Sequence, residues 1–344
     1  MNLYLITILS IVVLLLINFL RKKSFFIERI SSETRKLHSK NVTRIGGLVL
    51  ITFSIAYFNI LNDLYKQVII FSLIIFLIGF IEDIFNSFSA MVRFLLLLFL
   101  LSIFKYFNDL NLLEIDNSFI NNFLLENIFV SYSFTIICLI LLINGFNFID
   151  GANGLMLGYA ILSLITLYFF SRHEIYDLVI LLYSIFIPLL VLFLANLSFG
   201  QVLSGDGGSY LMGFFIGSLC IILAKNYYIN SFAIACLLFY PVAEVTFSFL
   251  RRIFVGKNPL KPDGAHLHQL IFNLLIAKFK LTNHNTINSA TSLVILSFIS
   301  LINLTIILYY NKINFALLYL FLNLFYIFTY LLIFKKNQYI KNSK

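Results

Sequence analysis

The 344-residue chain is 61% hydrophobic and only 11% charged, where soluble domains carry roughly a quarter charged residues, which excludes an ordinary water-soluble enzyme. Its formal charge of +9 sits in basic clusters beside apolar runs, which topology and anionic headgroups explain, so no nucleic-acid partner is expected. Cys138, Cys220 and Cys236 all fall inside apolar runs, the usual place of small buried thiols, and imply neither a disulfide nor a metal cluster.

Runs of about 20 apolar residues, enough to cross a bilayer core about 30 Å thick, predict an all-α, polytopic transmembrane helix bundle of about eleven spans in a single integral membrane domain, 1–344. They lie at about 3–20, 45–62, 67–84, 88–107, 128–146, 154–171, 176–195, 207–224, 231–250, 290–310 and 314–334. The first run has its basic residues after it and no small-residue cleavage site, so it reads as a retained span. Placing Arg21, Lys22, Lys23, Arg29, Arg35, Lys36, Lys40 and Arg44 inside puts two later clusters on the same side. These are Arg251, Arg252, Lys257, Lys261, Lys278 and Lys280, and then Lys335, Lys336, Lys341 and Lys344. The loop 108–127, with Asp109, Glu114, Asp116 and Glu126 but no Lys or Arg, falls outside. The positive-inside rule then predicts the N-terminus out and the C-terminus in. Cytoplasmic loops are expected near 21–44, 85–87, 147–153, 196–206 and 251–289. Pro188 and Pro241 inside spans are compatible with kinks.

On this topology five polar islands share the cytoplasmic face: 36–47, Glu82-Asp83, 144–153, 204–209 and 251–269. Any one acid at a span end could be an interface anchor; five islands on one face point to a site. Glu82 and Asp83 are adjacent carboxylates, which repel and call for a cation or a proton. Asn144, Asn147 and Asp150 recur every three residues, along one face of a helical turn, with Gly151 following. Gly205, Asp206 and Ser209 belong to a glycine-rich turn before a span, where free N–H groups and a helix N-terminus favour phosphate. An Asp there, near other acids, suggests Mg2+ on oxygen ligands, shared with a diphosphate. His266 and His268, two apart, suit a loop that offers both rings to phosphate or sugar better than a helix-borne zinc pair. His173 and His284 lack any motif.

The ordered set, R-I-G-G after a basic loop, an acidic pair, N-x-x-N-x-x-D-G, G-D-x-G-S, R-R and H-x-H, resembles the polyprenyl-phosphate N-acetylhexosamine-1-phosphate transferase family over nearly the whole chain. The resemblance implies a bacterial inner-membrane, multi-pass enzyme with its active site facing the cytoplasm. It would move a sugar 1-phosphate from a UDP-N-acetylhexosamine to undecaprenyl phosphate with Mg2+, or Mn2+ in its place, to start surface polysaccharide (O-antigen-like) or cell-envelope glycan synthesis. Carried over by position, it implies catalytic roles for Glu82, Asp83 and Asp150 and a metal role for Asp206. Substrate contacts would come from Arg44, Gly46, Gly47, Arg93, Asn144, Asn147, Asn153, Gly205, Ser209, Glu244, Arg251, Arg252, His266 and His268. Glu82, Asn153, Gln269 and Leu203 depart from the family pattern, standing where members carry an aspartate, a second aspartate, a third histidine and an aromatic. The histidine loop and Arg pair look more like the initiating transferases than the phospho-N-acetylmuramoyl-pentapeptide transferase. Outside the family, a transporter would place charges near the midplane of several spans, and a non-catalytic scaffold would carry a decayed acidic site. Membrane lipid surrounds the bundle on any of these readings, and homo-oligomerisation is left open.

Overall fold

The computed structural model describes residues 2–21, 27–28, 42–55, 58–85, 88–108, 110, 122, 126–171, 176–226, 229–259, 263–279 and 283–342. Most of the predicted basic loop before Arg44 lies outside these, as do Asp109, Glu114, Asp116, His173, Lys261, Lys280 and Lys344.

In chain order the helices are α1 (Asn2–Arg21), α2 (Gly47–Leu50), α3 (Asp63–Phe85), α4 (Ala90–Phe107), α5 (Ile128–Ile149), α6 (Leu155–Ser171) and α7 (Tyr176–Phe199). Then come α8 (Gly205–Lys225), α9 (Ser231–Leu237), α10 (Phe239–Phe254), α11 (Leu267–Phe279), α12 (His284–Leu308) and α13 (Phe315–Asn342). A two-stranded antiparallel ribbon joins β1 (Ile27–Glu28) to β2 (Val42–Thr43). Among the described residues seven helices, α3, α4, α5, α7, α8, α12 and α13, are long and apolar enough to cross a membrane. Each falls on a predicted span, and the chain is a multi-pass membrane protein.

Of the other four predicted spans, 3–20 and 154–171 hold the shorter apolar helices α1 and α6, and two take another form. Over 45–62 the described residues form α2 and then a 3-10 turn, Ile51–Ile55, rather than one long helix. The Thr52 hydroxyl donates to the Val49 carbonyl at 2.7 Å and the Ser54 hydroxyl to Ile51 at 2.8 Å. Side chains that bond backbone carbonyls three residues back compete with the helical ladder, and the turn tightens. The predicted span 231–250 is broken into α9 and α10, which meet at 74°. Pro241 supplies no N–H to the Leu237 carbonyl, so the helix cannot continue through Leu238. α11 occupies part of the predicted 251–289 loop.

α8 is the axis of the bundle, buried along its whole apolar stretch and packed mainly against α3 and α5. Lipid tails are as apolar as leucine, so close packing rather than water exclusion holds such helices together, and small residues permit it. A Cβ at Gly79 of α3 would sit 2.5 Å from the Asp206 carbonyl oxygen, and one at Gly213 of α8 2.7 Å from the Ile143 Cα. These contacts bring the ends of α3, α5 and α8 to one end of the bundle.

Candidate active site

The approach to α8 is held by backbone pairing with the segment before α2. Thr43 N–H donates to Gln201 O at 3.0 Å, Leu203 N–H to Thr43 O at 2.8 Å, and Gly46 and Gly47 N–H to Leu203 and Ser204 O, both at 2.9 Å. A Cβ on Gly46 would strike the Leu203 carbonyl, and one on Gly47 would lie 2.7 Å from Gly208 N. Both predicted glycines thus serve backbone approach, laying Arg44 against the turn. Gly205 opens α8 at φ +73, the left-handed region open to glycine, with no room for a side chain between Arg44 O and Asp83.

The first N–H groups of α8 have no helical acceptors. Asp83 takes two of them, Oδ1 from Asp206 N–H and Oδ2 from Gly207 N–H, each at 3.0 Å, and Asp150 Oδ2 takes Gly205 N–H at 3.1 Å. The expectation of a free, phosphate-binding helix start is therefore corrected: carboxylates from α3 and the end of α5 already meet those donors and the positive end of the helix dipole. Burial, with the charges of Asp83 and Asp206, holds the Asp150 carboxyl well above the usual carboxylate range, against the opposing bond from Gly205.

Asp206 faces the other way. Its Oδ1 accepts from Asn147 Nδ2 at 2.7 Å and its Oδ2 from Arg93 Nη1 at 2.7 Å. Arg93, in the first turns of α4, also stands 3.8 Å from Glu82 Oε1, while Glu82 Oε2 accepts from Phe88 N–H at 2.8 Å. The buried Tyr210 hydroxyl, one turn after Asp206, touches the same guanidinium. Arg93, Asp206 and Glu82 all keep part of their side chains exposed. Among the described residues no three or more His, Cys, Asp or Glu side chains form a metal-holding group. The donor set still fits Mg2+, which is commonly bound through one or two carboxylates and completes its shell with substrate phosphates and water. Asp206 and Glu82 are hard, partly accessible oxygen donors of that kind.

A second cluster forms around α10. Glu244, fully buried, accepts from Leu267 N–H at 3.1 Å and pairs with His266 Nδ1 at 3.0 Å. Arg251 binds Asp263 through two contacts, 2.8 and 3.2 Å, and Arg252 binds Asp263 Oδ1 at 3.1 Å and the Pro259 carbonyl at 2.9 Å. Burial alone would raise Asp263, but the two guanidiniums hold it well below the usual range. Glu244, Arg251 and Arg252, expected on substrate, thus have protein partners and shape the histidine segment.

The two histidine rings stack at 5.6 Å and 3°. His268 lies in the first turn of α11, not in a loop as expected, and is buried with neither ring nitrogen partnered among the described residues. Its Nε2 would lie 2.7 Å from a Cβ on Gly151, which sets this cluster beside Asp150. Burial pushes the His268 imidazole down to about 4.

Other predicted contacts are drawn inward. Asn153 is fully buried and its amide bonds Asn285 at 2.7 Å, Ser289 at 3.2 Å and Asn288 at 3.2 Å, all on α12. Ser209 Oγ donates to Gly205 O at 2.8 Å, and Asn144 Nδ2 to Ile140 O at 2.8 Å, one turn back on α5. Sequence reasoning missed Tyr210, Asp263 and the α12 amides. Tyr210 was findable from its four-residue spacing after Asp206, and Asp263 from its place in the histidine motif. The asparagines were hidden by a composition rich in that residue.

A cationic and acidic cluster thus stands at one end of a helical membrane bundle, and the chain's relatives are named as phosphosugar transferases. The sequence model of glycosyl transferase family 4 matches residues 65–224. The undecaprenyl-phosphate alpha-N-acetylglucosaminyl 1-phosphate transferase of Thermotoga maritima is 27% identical over 321 residues, covering 93% of this chain and 94% of that protein. The probable undecaprenyl-phosphate N-acetylglucosaminyl 1-phosphate transferase of Bacillus subtilis is 27% identical over 246 residues, 68% of this chain and 66% of its own. The Escherichia coli K12 enzyme named like the first is 28% identical over 149 residues, 41% of this chain and 40% of its own. By these matches the chain is similar to members of the polyprenyl-phosphate N-acetylhexosamine-1-phosphate transferase family.

Proposed function

We propose that the protein transfers an N-acetylhexosamine 1-phosphate from a UDP-sugar to undecaprenyl phosphate and releases UMP, starting surface polysaccharide or cell-envelope glycan synthesis. The observation that carries this reading is Asp206, presented with Arg93, Asn147 and Glu82 on a helix start that Asp83 and Asp150 saturate. An oxygen of the lipid phosphate forms a bond to the sugar-proximal phosphorus, the bond from that phosphorus to the bridging oxygen breaks, and its electron pair leaves on UMP. Such transfer depends on in-line positioning and charge neutralisation more than on covalent chemistry. Asp206, with Glu82 nearby, would hold Mg2+, which when bound supplies charge neutralisation on the diphosphate. Arg93 adds a permanent positive charge for phosphoryl oxygens, and Asn147 orients the Asp206 carboxylate. Asp83 keeps the start of α8 in register with α3. Asp150, buried beside Gly151 and His268, supports the nucleotide side, and His266 supplies a hydrogen-bonding edge to phosphate or sugar.

The membrane placement follows the same reading. Arg44 lies against the Gly205 turn, and Arg251 and Arg252 hold Asp263 beside the histidine segment; this positive charge supports a cytoplasmic site in the inner membrane, N-terminus out and C-terminus in. The gathering of acids at one end, rather than at the midplane, gives a transporter no support.

The test is UMP release by purified protein with undecaprenyl phosphate and a panel of UDP-sugars, with and without Mg2+, beside Asp206→Asn. Release that needs Mg2+, favours one N-acetylhexosamine and disappears in the variant is expected. Folded protein that releases UMP from no donor would overturn the proposal.

A further inference from the structure

Both carboxylate oxygens of Asp206 are engaged within the protein, Oδ1 by Asn147 and Oδ2 by Arg93, each at 2.7 Å. The same guanidinium approaches Glu82 Oε1 at 3.8 Å and rests against Tyr210. Arg93 is therefore a cation lodged between the two partly exposed carboxylates, in the place that a divalent cation joining them to a diphosphate would need. A guanidinium keeps its charge at any ordinary pH, so it cannot leave Asp206 by losing a proton. It can leave only by moving, and it has somewhere to go once phosphate oxygens are present, because its planar fork matches phosphate as well as carboxylate.

The mobility required is unequally shared. Asp206 is fixed: it stands in the first turn of the fully buried α8, whose backbone at that point is tied to Asp83. Arg93 reaches the site on a long side chain from the first turns of α4 and is a quarter exposed. Resting on the function proposed above, we infer that Arg93 is a stand-in cation. It neutralises Asp206 and Glu82 while the donor is absent and swings onto the diphosphate when donor arrives, so that divalent cation and donor are taken up together. Without the diphosphate, an incoming cation would have to displace Arg93 with nothing to receive it. With it, the two positive charges share the added negative charge. Linkage then requires that each ligand strengthen the other by one and the same factor.

The experiment uses Mn2+ as the paramagnetic probe and UDP as the diphosphate, with protein-bound Mn2+ read by EPR against a protein-free Mn2+ and UDP series. Wild-type protein should bind Mn2+ at least about tenfold more tightly with saturating UDP than without, a coupling of ordinary allosteric size. Arg93→Gln should bind Mn2+ about tenfold more tightly than wild type in the absence of UDP, and gain little from UDP. Arg93→Lys, which keeps a movable charge, should retain most of the coupling, and Asp206→Asn should lose Mn2+ under both conditions. Equal Mn2+ affinity in the wild type with and without UDP overturns the inference, even if Arg93→Gln fails to fold. So does a folded Arg93→Gln whose UDP-free affinity matches wild type. UMP release measured on the same preparation keeps the two proposals apart. Coupling without UMP release sinks the transfer reading alone, and UMP release without coupling sinks the stand-in role alone.

Discussion

The Tyr159 hydroxyl of α6 donates to the Leu237 carbonyl at the end of α9, the acceptor that Pro241 leaves without a helical N–H. The bond repairs the break where α9 meets α10 at 74°. Tyr159→Phe keeps the ring, which packs edge-on to Phe146 at 5.7 Å, and removes only the donor. Leaving a buried carbonyl unmet should cost about 1–3 kcal/mol. Melting followed with a thiol-reactive dye, which reports exposure of Cys220 and Cys236, should show the variant unfolding at lower temperature; an unchanged midpoint would refute the repair.

Asp83 and Asp206 carry the same side chain in opposite roles, and their amides should separate those roles. Asp83→Asn places a donor against the N–H groups of Asp206 and Gly207, so stability should fall by about 2–3 kcal/mol, the scale of a charge-assisted bond. Activity should fall with it. Asp206→Asn keeps the α8 start intact and should abolish UMP release while shifting the melting midpoint far less. Equal loss of stability in both variants would refute the division.

Asn153, placed by motif on substrate, should behave as a brace. Asn153→Leu leaves the buried Asn288 amide without its Asn153 acceptor and takes a partner from the half-exposed Asn285, and about 2 kcal/mol of stability should be lost. Combining it with Asn288→Leu should cost less than the two single losses summed, because each change already breaks the shared pair. Strict additivity would show that the pair is uncoupled.

His268 makes stability fall on acidification. Its imidazole is held at about 4 in the fold against 6.5 for an ordinary histidine. Between those values the unfolded chain binds a proton that the folded protein refuses, so stability drops as pH falls from about 6.5 toward 4. His268→Gln should flatten the melting curve against pH over that window. Asp263 acts in the same direction lower down: its depressed value stabilises the fold above the normal carboxylate range, and that contribution disappears as pH falls below it.

Much of the bundle was legible because a membrane span must satisfy its own backbone, which ties hydrophobic length directly to helix. The failures are local. Pro241 was visible, but a proline in a span can kink or break it, and the outcome here depends on Tyr159, far off in sequence. Thr52 and Ser54 read as tolerable in an apolar run, yet their hydroxyls turn the chain. The structure gathers Glu82, Asp83, Asp150 and Asp206 around one helix start, a grouping that the glycine turns made legible. Their division into caps and outward-facing groups was not legible, because Asp83, Asp150 and Asp206 are chemically identical until the helix start is positioned among them. The partners of Arg251, Arg252 and Glu244 were hidden for a related reason: Asp263 and His266 reach them from outside the span pattern.

The parallel pairing of Thr43 to Gly47 with Gln201 to Ser204 bears on how such a protein can be cut or recombined. The stretch that matches the glycosyl transferase family, 65–224, holds Asp83, Asp150 and Asp206, yet the strand that steadies the Gly205 turn lies upstream of it and the Glu244–His266 clasp downstream. The candidate site is thus not a transplantable module. A fragment trimmed to the matched stretch would keep Glu82, Asp83, Asp150 and Asp206 and lose the frame that aims them, so swaps between relatives should succeed only when residues 42–47 travel with 201–206 as one piece.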